Sequence, residues 1–223
     1  VIHLSSFFKK NKYCIIEKAI SLEMANFIHD YICLKKKVAK KLFEYNYISL
    51  NETTWGTWLD AQVPNTYSHY SDLVMETLLE KVLPQMQKHT GLKLVPTYSY
   101  TRVYKKGDVL KRHKDRPSCE ISTTMNLGGD KWPIYLSPNE NVGFPNEQKG
   151  ITTESKAKGI KVDLRPGDML VYSGCELEHW RKKFTGKYCA QVFLHYNRKQ
   201  SKNKNEFDGR PFLGLPSIFK RRK

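Results

Sequence analysis

The chain has 223 residues, 39% of them hydrophobic, 12% aromatic and 27% charged, with a net charge of +16. That length suits one domain with a sizeable core, and the lack of a long apolar run or a secretory leader argues against a membrane-spanning or secreted protein, so a soluble cytoplasmic protein is expected. Five scattered cysteines (Cys14, Cys33, Cys119, Cys175 and Cys189), odd in number and without zinc-ribbon spacing, point to a reducing compartment rather than a disulfide framework. The positive charge suggests an anionic partner, such as nucleic acid or an acidic surface. A Lys-, Asn-, Ile- and Tyr-rich composition accounts for it as well, and only clustering on one face separates the two.

The first 95 residues read as helical support. Ser21 can cap a helix with Met24, Phe27, Ile28, Tyr31 and Ile32 on its apolar face. Lys35-Lys36-Lys37 and Lys40-Lys41 continue it as a solvated face. A second helix is expected from about Ser71 to Thr90, apolar at Met75, Leu78, Leu79, Val82, Leu83 and Met86, kinked at Pro84 and stopped by Gly91. Between them lies Trp55-Gly56-Thr57-Trp58. The two tryptophans are either a lid contacting substrate or the buried anchors of a turn.

Strands begin at Pro96. Tyr98, Tyr100, Arg102 and Tyr104 share one parity, so they point to the same side. An ordinary apolar core would not choose Arg102, because a buried unpaired charge is costly. That face lines a polar pocket, or Arg102 points to solvent. His113 and Asp115 stand two residues apart and can occupy adjacent corners of a metal coordination sphere. His179, in Glu178-His179-Trp180-Arg181, is the best third ligand. Two histidines and one carboxylate form the facial set of non-haem Fe(II) oxygenases. The bland alternative is a strand-end histidine satisfied by a nearby carboxylate.

Residues Glu120–Leu127 read as a strand, with Ser122, Thr124 and Asn126 on one side. Arg116 and Glu120 are a candidate ion pair beside the ligands. Trp132–Leu136 is a further strand. The stretch 137–161 is long, polar and loop-like, which in a compact domain is usually functional or disordered. Val162 to Tyr172 reads as strand, Arg165-Pro166-Gly167-Asp168 turn, strand. Tyr188–Tyr196 is a strong strand. A basic arm, 201–223, closes the chain, packed by Phe212, Leu213 and Phe219.

The order Arg102-x-Tyr104-x-x-Gly107, His113-x-Asp115, the 165–168 turn and His179 resembles the 2-oxoglutarate/Fe(II) dioxygenases, in particular their prolyl 4-hydroxylase-like branch. The likeness spans roughly 98–197. It implies a mainly β fold with N-terminal helices, a double-stranded β-helix (jelly roll) over 96–200. It also implies Fe(II), 2-oxoglutarate and O2, with ascorbate as an optional reductant. Decarboxylation of 2-oxoglutarate to succinate and CO2 would accompany hydroxylation of a C–H bond, first of all in a peptidyl proline or another protein residue. Asp115 favours hydroxylation over halogenation, which needs that ligand position vacated. The 137–161 loop would border the site.

The resemblance makes Tyr104, Arg102, Ser122 and Thr124 candidates for binding the co-substrate. Its distal carboxylate needs a cation. The family's usual place, about ten residues after the second His, offers Lys187, whereas Arg181 shares the parity of His179 and has the better-suited planar guanidinium. Gln191 is a supporting candidate, although whether Gln191 or Ala190 faces inward is open. Two other readings stand beside this one: a nucleic-acid-directed oxygenase, and a basic metal-binding jelly roll that does not turn over 2-oxoglutarate.

Overall fold

The computed structural model describes residues 4–49, 51–143, 155–202 and 204–220. It opens with two elements that the sequence pattern did not suggest, helix α1 (Leu4–Asn11) and strand β1 (Tyr13–Ile16). Helix α2 (Leu22–Glu44) is capped by Ser21, whose hydroxyl accepts from the Met24 N–H at 3.1 Å. Its buried stripe is Ala25, Ile28, Ile32 and Ala39, while Phe27 is exposed. The expected face is therefore met at Ile28 and Ile32, with Met24 and Tyr31 packed against the same core, and fails only at Phe27. Lys35 is not solvated either: its Nζ lies 2.5 Å from Asp72 Oδ2.

Strand β2 (Tyr67–Tyr70) leads into α3 (Leu73–Thr90), whose N-cap is Asp72 and whose C-cap is Gly91 in the left-handed conformation. The helix continues through Pro84, with Met75, Leu78, Leu79, Val82 and Met86 buried.

The remaining strands are β3 (Leu94–Lys105), β4 (Leu110–His113), β5 (Ile121–Gly129), β6 (Ile134–Leu136), β7 (Ile160–Val162), β8 (Met169–Tyr172), β9 (His179–Arg181) and β10 (Tyr188–Arg198). They form two antiparallel sheets, ordered β1-β8-β5-β10-β3-β2 and β4-β9-β6-β7. This is a jelly roll with helices on one side. The outer face of the larger sheet supplies Val103, Ile121, Met125, Val171, Val192 and Leu194 to a core shared with α2 and α3. Two smaller apolar clusters join its inner face to the other sheet, one around Tyr104, Leu110, Trp132 and Phe193, the other around Leu136, Val162 and Leu170.

The turn before β8 needs its glycine. Gly167 has φ +89°, and a side chain there would meet the Ile20 carbonyl oxygen at 2.6 Å. Asp168 braces the same turn by accepting from the Arg165 N–H at 3.0 Å.

After β10 the chain returns across the sheet through short 3-10 turns at Glu206–Gly209 and Ser217–Phe219. Buried Arg210 lies 3.0 Å from Glu76 on α3, and Leu213 is buried, but Phe212 and Phe219 are exposed. Charge pairing anchors this segment more than the expected aromatic packing does. Residues 144–154 of the expected loop and 221–223 of the basic arm lie outside the described residues.

Candidate functional site

Three segments bring the candidate metal ligands together. The antiparallel pairing of β4 with β9 sets His113 opposite His179, with ring centroids 4.2 Å apart. Just past β4, the Asp115 N–H donates to the Gly174 carbonyl at 2.8 Å, which turns the carboxylate back toward both rings. Asp115 Oδ1 lies 3.6 Å from His113 Nε2 and 3.4 Å from His179 Nε2. The approach around Asp115 is close: a side chain on Gly174 would collide with the Asp115 carboxylate and the Ser122 hydroxyl.

Each imidazole is held in the tautomer that a metal requires. His113 Nδ1 is 2.8 Å from the Lys111 carbonyl, and His179 Nδ1 is 3.0 Å from the Leu177 carbonyl. A carbonyl only accepts, so both Nδ1 atoms carry the proton and both Nε2 lone pairs are left for a cation. Burial, reinforced by the neighbouring His179, pushes the His113 pKa down to about 4, so this ring is neutral at pH 7. Burial works against charge on His179 too, but the Asp115 carboxylate overrides it and raises the pKa. Burial would raise Asp115, yet the two histidines hold it well below the usual carboxylate range. Ser122 Oγ donates to Asp115 Oδ2 at 2.6 Å, leaving Oδ1 aimed at the histidines.

The triad opens into a cavity of about 410 Å³, lined by Tyr98, Tyr100, Arg102, Ile134 and Phe193 among others. The parity reading of β3 holds in that its tyrosines and Arg102 turn inward. Arg102 is neutralised there: its guanidinium donates to Asp60 Oδ2 at 2.5 Å, to Gln62 Oε1 at 3.1 Å and to the Tyr104 hydroxyl at 3.2 Å. Burial disfavours its charge, but Tyr104, Tyr100 and Asp60 raise its pKa on balance. Arg102 is therefore spoken for and is a poor anchor for a second carboxylate.

Arg181 is different. It is among the largest fully buried side chains, and among the described residues no carboxylate pairs with it. Its guanidinium donates to the Trp132 carbonyl, to Thr124 Oγ1 at 3.1 Å and to Gln191 Oε1 at 3.3 Å, all neutral acceptors, while its Nε has no partner. Burial pulls its pKa down, with Tyr104, Cys189 and Tyr172 opposing that pull. A buried cation surrounded only by neutral acceptors carries an uncompensated desolvation cost. Gln191 thus sits on the inward parity, and Thr124 Oγ1 donates to it at 3.2 Å.

Several expectations are corrected. Lys187 is exposed, its backbone N–H donating to Asp130 just before β10, because the strand starts one residue later. Arg116 and Glu120 do not pair with each other. Arg116 makes a bidentate contact with Asp208, at 2.9 and 2.7 Å, and Glu120 pairs with Arg198 at 3.3 Å. Trp55 and Trp58 do not line the triad cavity. Trp58 packs on Tyr67 and Phe43, and Trp55 borders a separate hollow beside Lys35 and His69. Their loop does reach the site, through Asp60 and Gln62.

Sequence reading also missed His195, which lines the cavity, packs its ring against Tyr98 with centroids 4.6 Å apart and contacts Ser122 Oγ at 3.0 Å through Nδ1. Its place on the Gln191 parity was the available signal. Asp60, Gln62 and Asp208 left no such signal, since each reaches the site from a distant loop.

No protein-family model matches the chain, and no curated protein matches it. Solved structures do. A prolyl-4-hydroxylase from Pseudomonas putida superposes with a TM-score of 0.58 at 10% identity, over 88% of this chain and 97% of that one. HygX from Streptomyces hygroscopicus, solved with nickel and 2-oxoglutarate bound, gives 0.59 at 14%, over 90% of this chain and 88% of that one. SnoN, a non-haem α-ketoglutarate-dependent epimerase from nogalamycin biosynthesis, gives 0.62 at 11%, over 87% and 82%. The fold is therefore that of the 2-oxoglutarate/Fe(II)-dependent oxygenases, and at these identities the likeness is one of fold.

Proposed function

We propose that this protein is a 2-oxoglutarate- and Fe(II)-dependent dioxygenase that hydroxylates a C–H bond, its first candidate substrate being a prolyl or other residue of a peptide or protein. The observation that carries this reading is the ligand set itself: two imidazoles with Nδ1 protons tied to backbone carbonyls and Nε2 lone pairs converging on Asp115 Oδ1. His113, Asp115 and His179 would hold the iron. Bound iron and 2-oxoglutarate supply O2 activation, driven by oxidative decarboxylation of the co-substrate.

The chain's own residues do the rest. Ser122 fixes the Asp115 carboxylate. Arg181, steadied by Thr124 and Gln191, neutralises the distal carboxylate of 2-oxoglutarate, and the nearby Tyr104 phenol completes that polar end. Asp60 and Gln62 keep Arg102 in place at the cavity wall. Leu110, Ile134 and Phe193 give the cavity its apolar surface and limit its water.

The test is succinate release from 2-oxoglutarate with and without Fe(II), in the presence of proline-containing peptides or of DNA and RNA. Iron-dependent succinate stimulated by a peptide supports the reading. Stimulation by nucleic acid alone moves the substrate class, and metal binding without any succinate leaves a metal-binding jelly roll that is not this enzyme.

A further inference from the structure

We propose that the substrate is an extended acidic peptide, laid against the open edge of β4 in a basic trough that crosses the ligand triad. The proposal takes its central chemistry from the oxygenase reading and adds the substrate's shape and charge.

The shape comes from three hollows in a row. The triad cavity shares Gln62 and His113 with a hollow of about 780 Å³ on one side. On the other side it shares Asp60, Tyr98, Tyr100 and Arg116 with one of about 550 Å³. One wall is the loop from Leu59 to Pro64. The other is the run from Lys105 to Arg116, continued by Ser217 and Lys220. A trough open at both ends fits an extended chain with its reacting residue over the middle.

The charge is positive at both ends. In the larger hollow Lys105 is paired with Asp108 at 2.7 Å and Arg112 with Glu178 at 3.1 Å. Lys106 and Lys111 are exposed and have no ion pair among the described residues. At the far end Arg116 and Lys220 share the single carboxylate of Asp208, at 2.7 and 2.5 Å, which leaves one positive charge over. Such ends favour an anionic chain.

Two observations make that chain a peptide. Strand β4 is the terminal strand of its sheet, so one side of its backbone has no strand partner among the described residues, and its residues line the trough. An extended peptide can add there through main-chain hydrogen bonds. Single-stranded nucleic acid stacks its bases on bare aromatic faces. Here the Arg116 guanidinium already covers Tyr98 at 4.6 Å, and that of Arg102 covers Tyr100 at 5.2 Å.

The experiment is fluorescence anisotropy on the full chain, loaded with Mn(II) and 2-oxoglutarate under argon. The probes are a labelled peptide with glutamates flanking a central proline, the same peptide with serine flanks, the glutamate peptide N-methylated at alternate residues, and single-stranded DNA. The glutamate peptide is expected to bind roughly tenfold or more tighter than the serine peptide, and N-methylation to abolish that binding. The Lys106→Glu/Lys111→Glu double variant should lose roughly tenfold, while Lys9→Glu/Lys10→Glu, the same charge change on the exposed side of α1, should not.

Equal losses in both double variants would mean only long-range attraction to a basic protein. Undiminished binding of the N-methylated peptide would remove β4 pairing. DNA that displaces the peptide and depends on Lys106 and Lys111 would overturn the peptide assignment. The assay needs no turnover, so failure of the oxygenase reading shows separately, as absent 2-oxoglutarate consumption.

Discussion

Along β10, Ala190, Val192, Leu194 and Tyr196 pack under the helices, while Cys189, Gln191, Phe193 and His195 turn the other way, toward the space between the sheets. Strand β5 does the same: Ile121 and Met125 lie in the helix-side core, and Ser122 and Thr124 hydrogen-bond to Asp115 and Arg181. One sheet thus has a face that is held by apolar burial and a face that holds charges. On the helix side the buried ion Arg210 has a counter-charge, Glu76. On the cavity face Arg181 has no carboxylate partner among the described residues, which is why it is the proposed anchor for the co-substrate.

Removing a ligand on the cavity side should have the largest effect. His179→Ala is expected to abolish iron-dependent succinate formation and to bring iron stoichiometry after anaerobic reconstitution well below that of the wild type. Equal, near-unit iron in both would remove His179 from the ligand set.

Next comes the co-substrate anchor. Arg181→Met should raise the KM for 2-oxoglutarate by about thirtyfold or more, corresponding to a loss of about 2 kcal/mol or more from a buried charged contact, with iron still bound. Lys187→Met, on the exposed side of the Asp130 turn, should leave that KM unchanged. The reverse pattern would hand the anchor to Lys187.

A cut on the helix face should show the opposite signature. Leu79→Ala removes a fully buried side chain and should cost about 2–5 kcal/mol in urea unfolding, while the KM for 2-oxoglutarate of the folded enzyme stays put. A shifted KM would mean that the two faces are coupled through the sheet.

The smallest effect concerns acid. Burial opposes the charge of Asp208, but Arg116 and Lys220 hold its pKa well below the ordinary carboxylate range. A folded-state pKa below the unfolded one contributes stability that is complete above the unfolded value, about 4, and is lost as pH falls toward the folded value. Asp208→Asn should therefore flatten the fall in urea midpoint below about pH 4, and an unchanged slope would show that the Asp208 pairs contribute nothing to acid stability.

Much of the fold was legible because it rests on local periodicity. Alternation marked β3, β5 and β10, the apolar stripe marked α3, and the Ser21 cap and Gly91 stop followed from backbone hydrogen bonding at helix ends. The i, i+2 spacing of His113 and Asp115 and the choice of His179 needed only residue type and strand order. The stripe of α2 was right at Ile28 and Ile32 but wrongly included Phe27, which is apolar yet faces solvent, because hydrophobicity alone does not say which neighbours exist.

What the sequence by itself determined is the set of elements and the chemical kinds of side chain they carry. It put imidazole and guanidinium on strands of a β domain and a carboxylate two residues beyond one of the imidazoles, since strand parity is a property of neighbouring residues. Only the tertiary structure decided which face is inside, and therefore that Gln191 and His195 rather than Ala190 and Tyr196 meet the cavity. It alone gave Arg102 to Asp60 and Arg116 to Asp208, pairs 42 and 92 residues apart. A charge's partner is fixed by distance in space, and the chain segments that supply Asp60, Asp208 and the Gly174 carbonyl come near the site only when the two sheets and the C-terminal segment have packed.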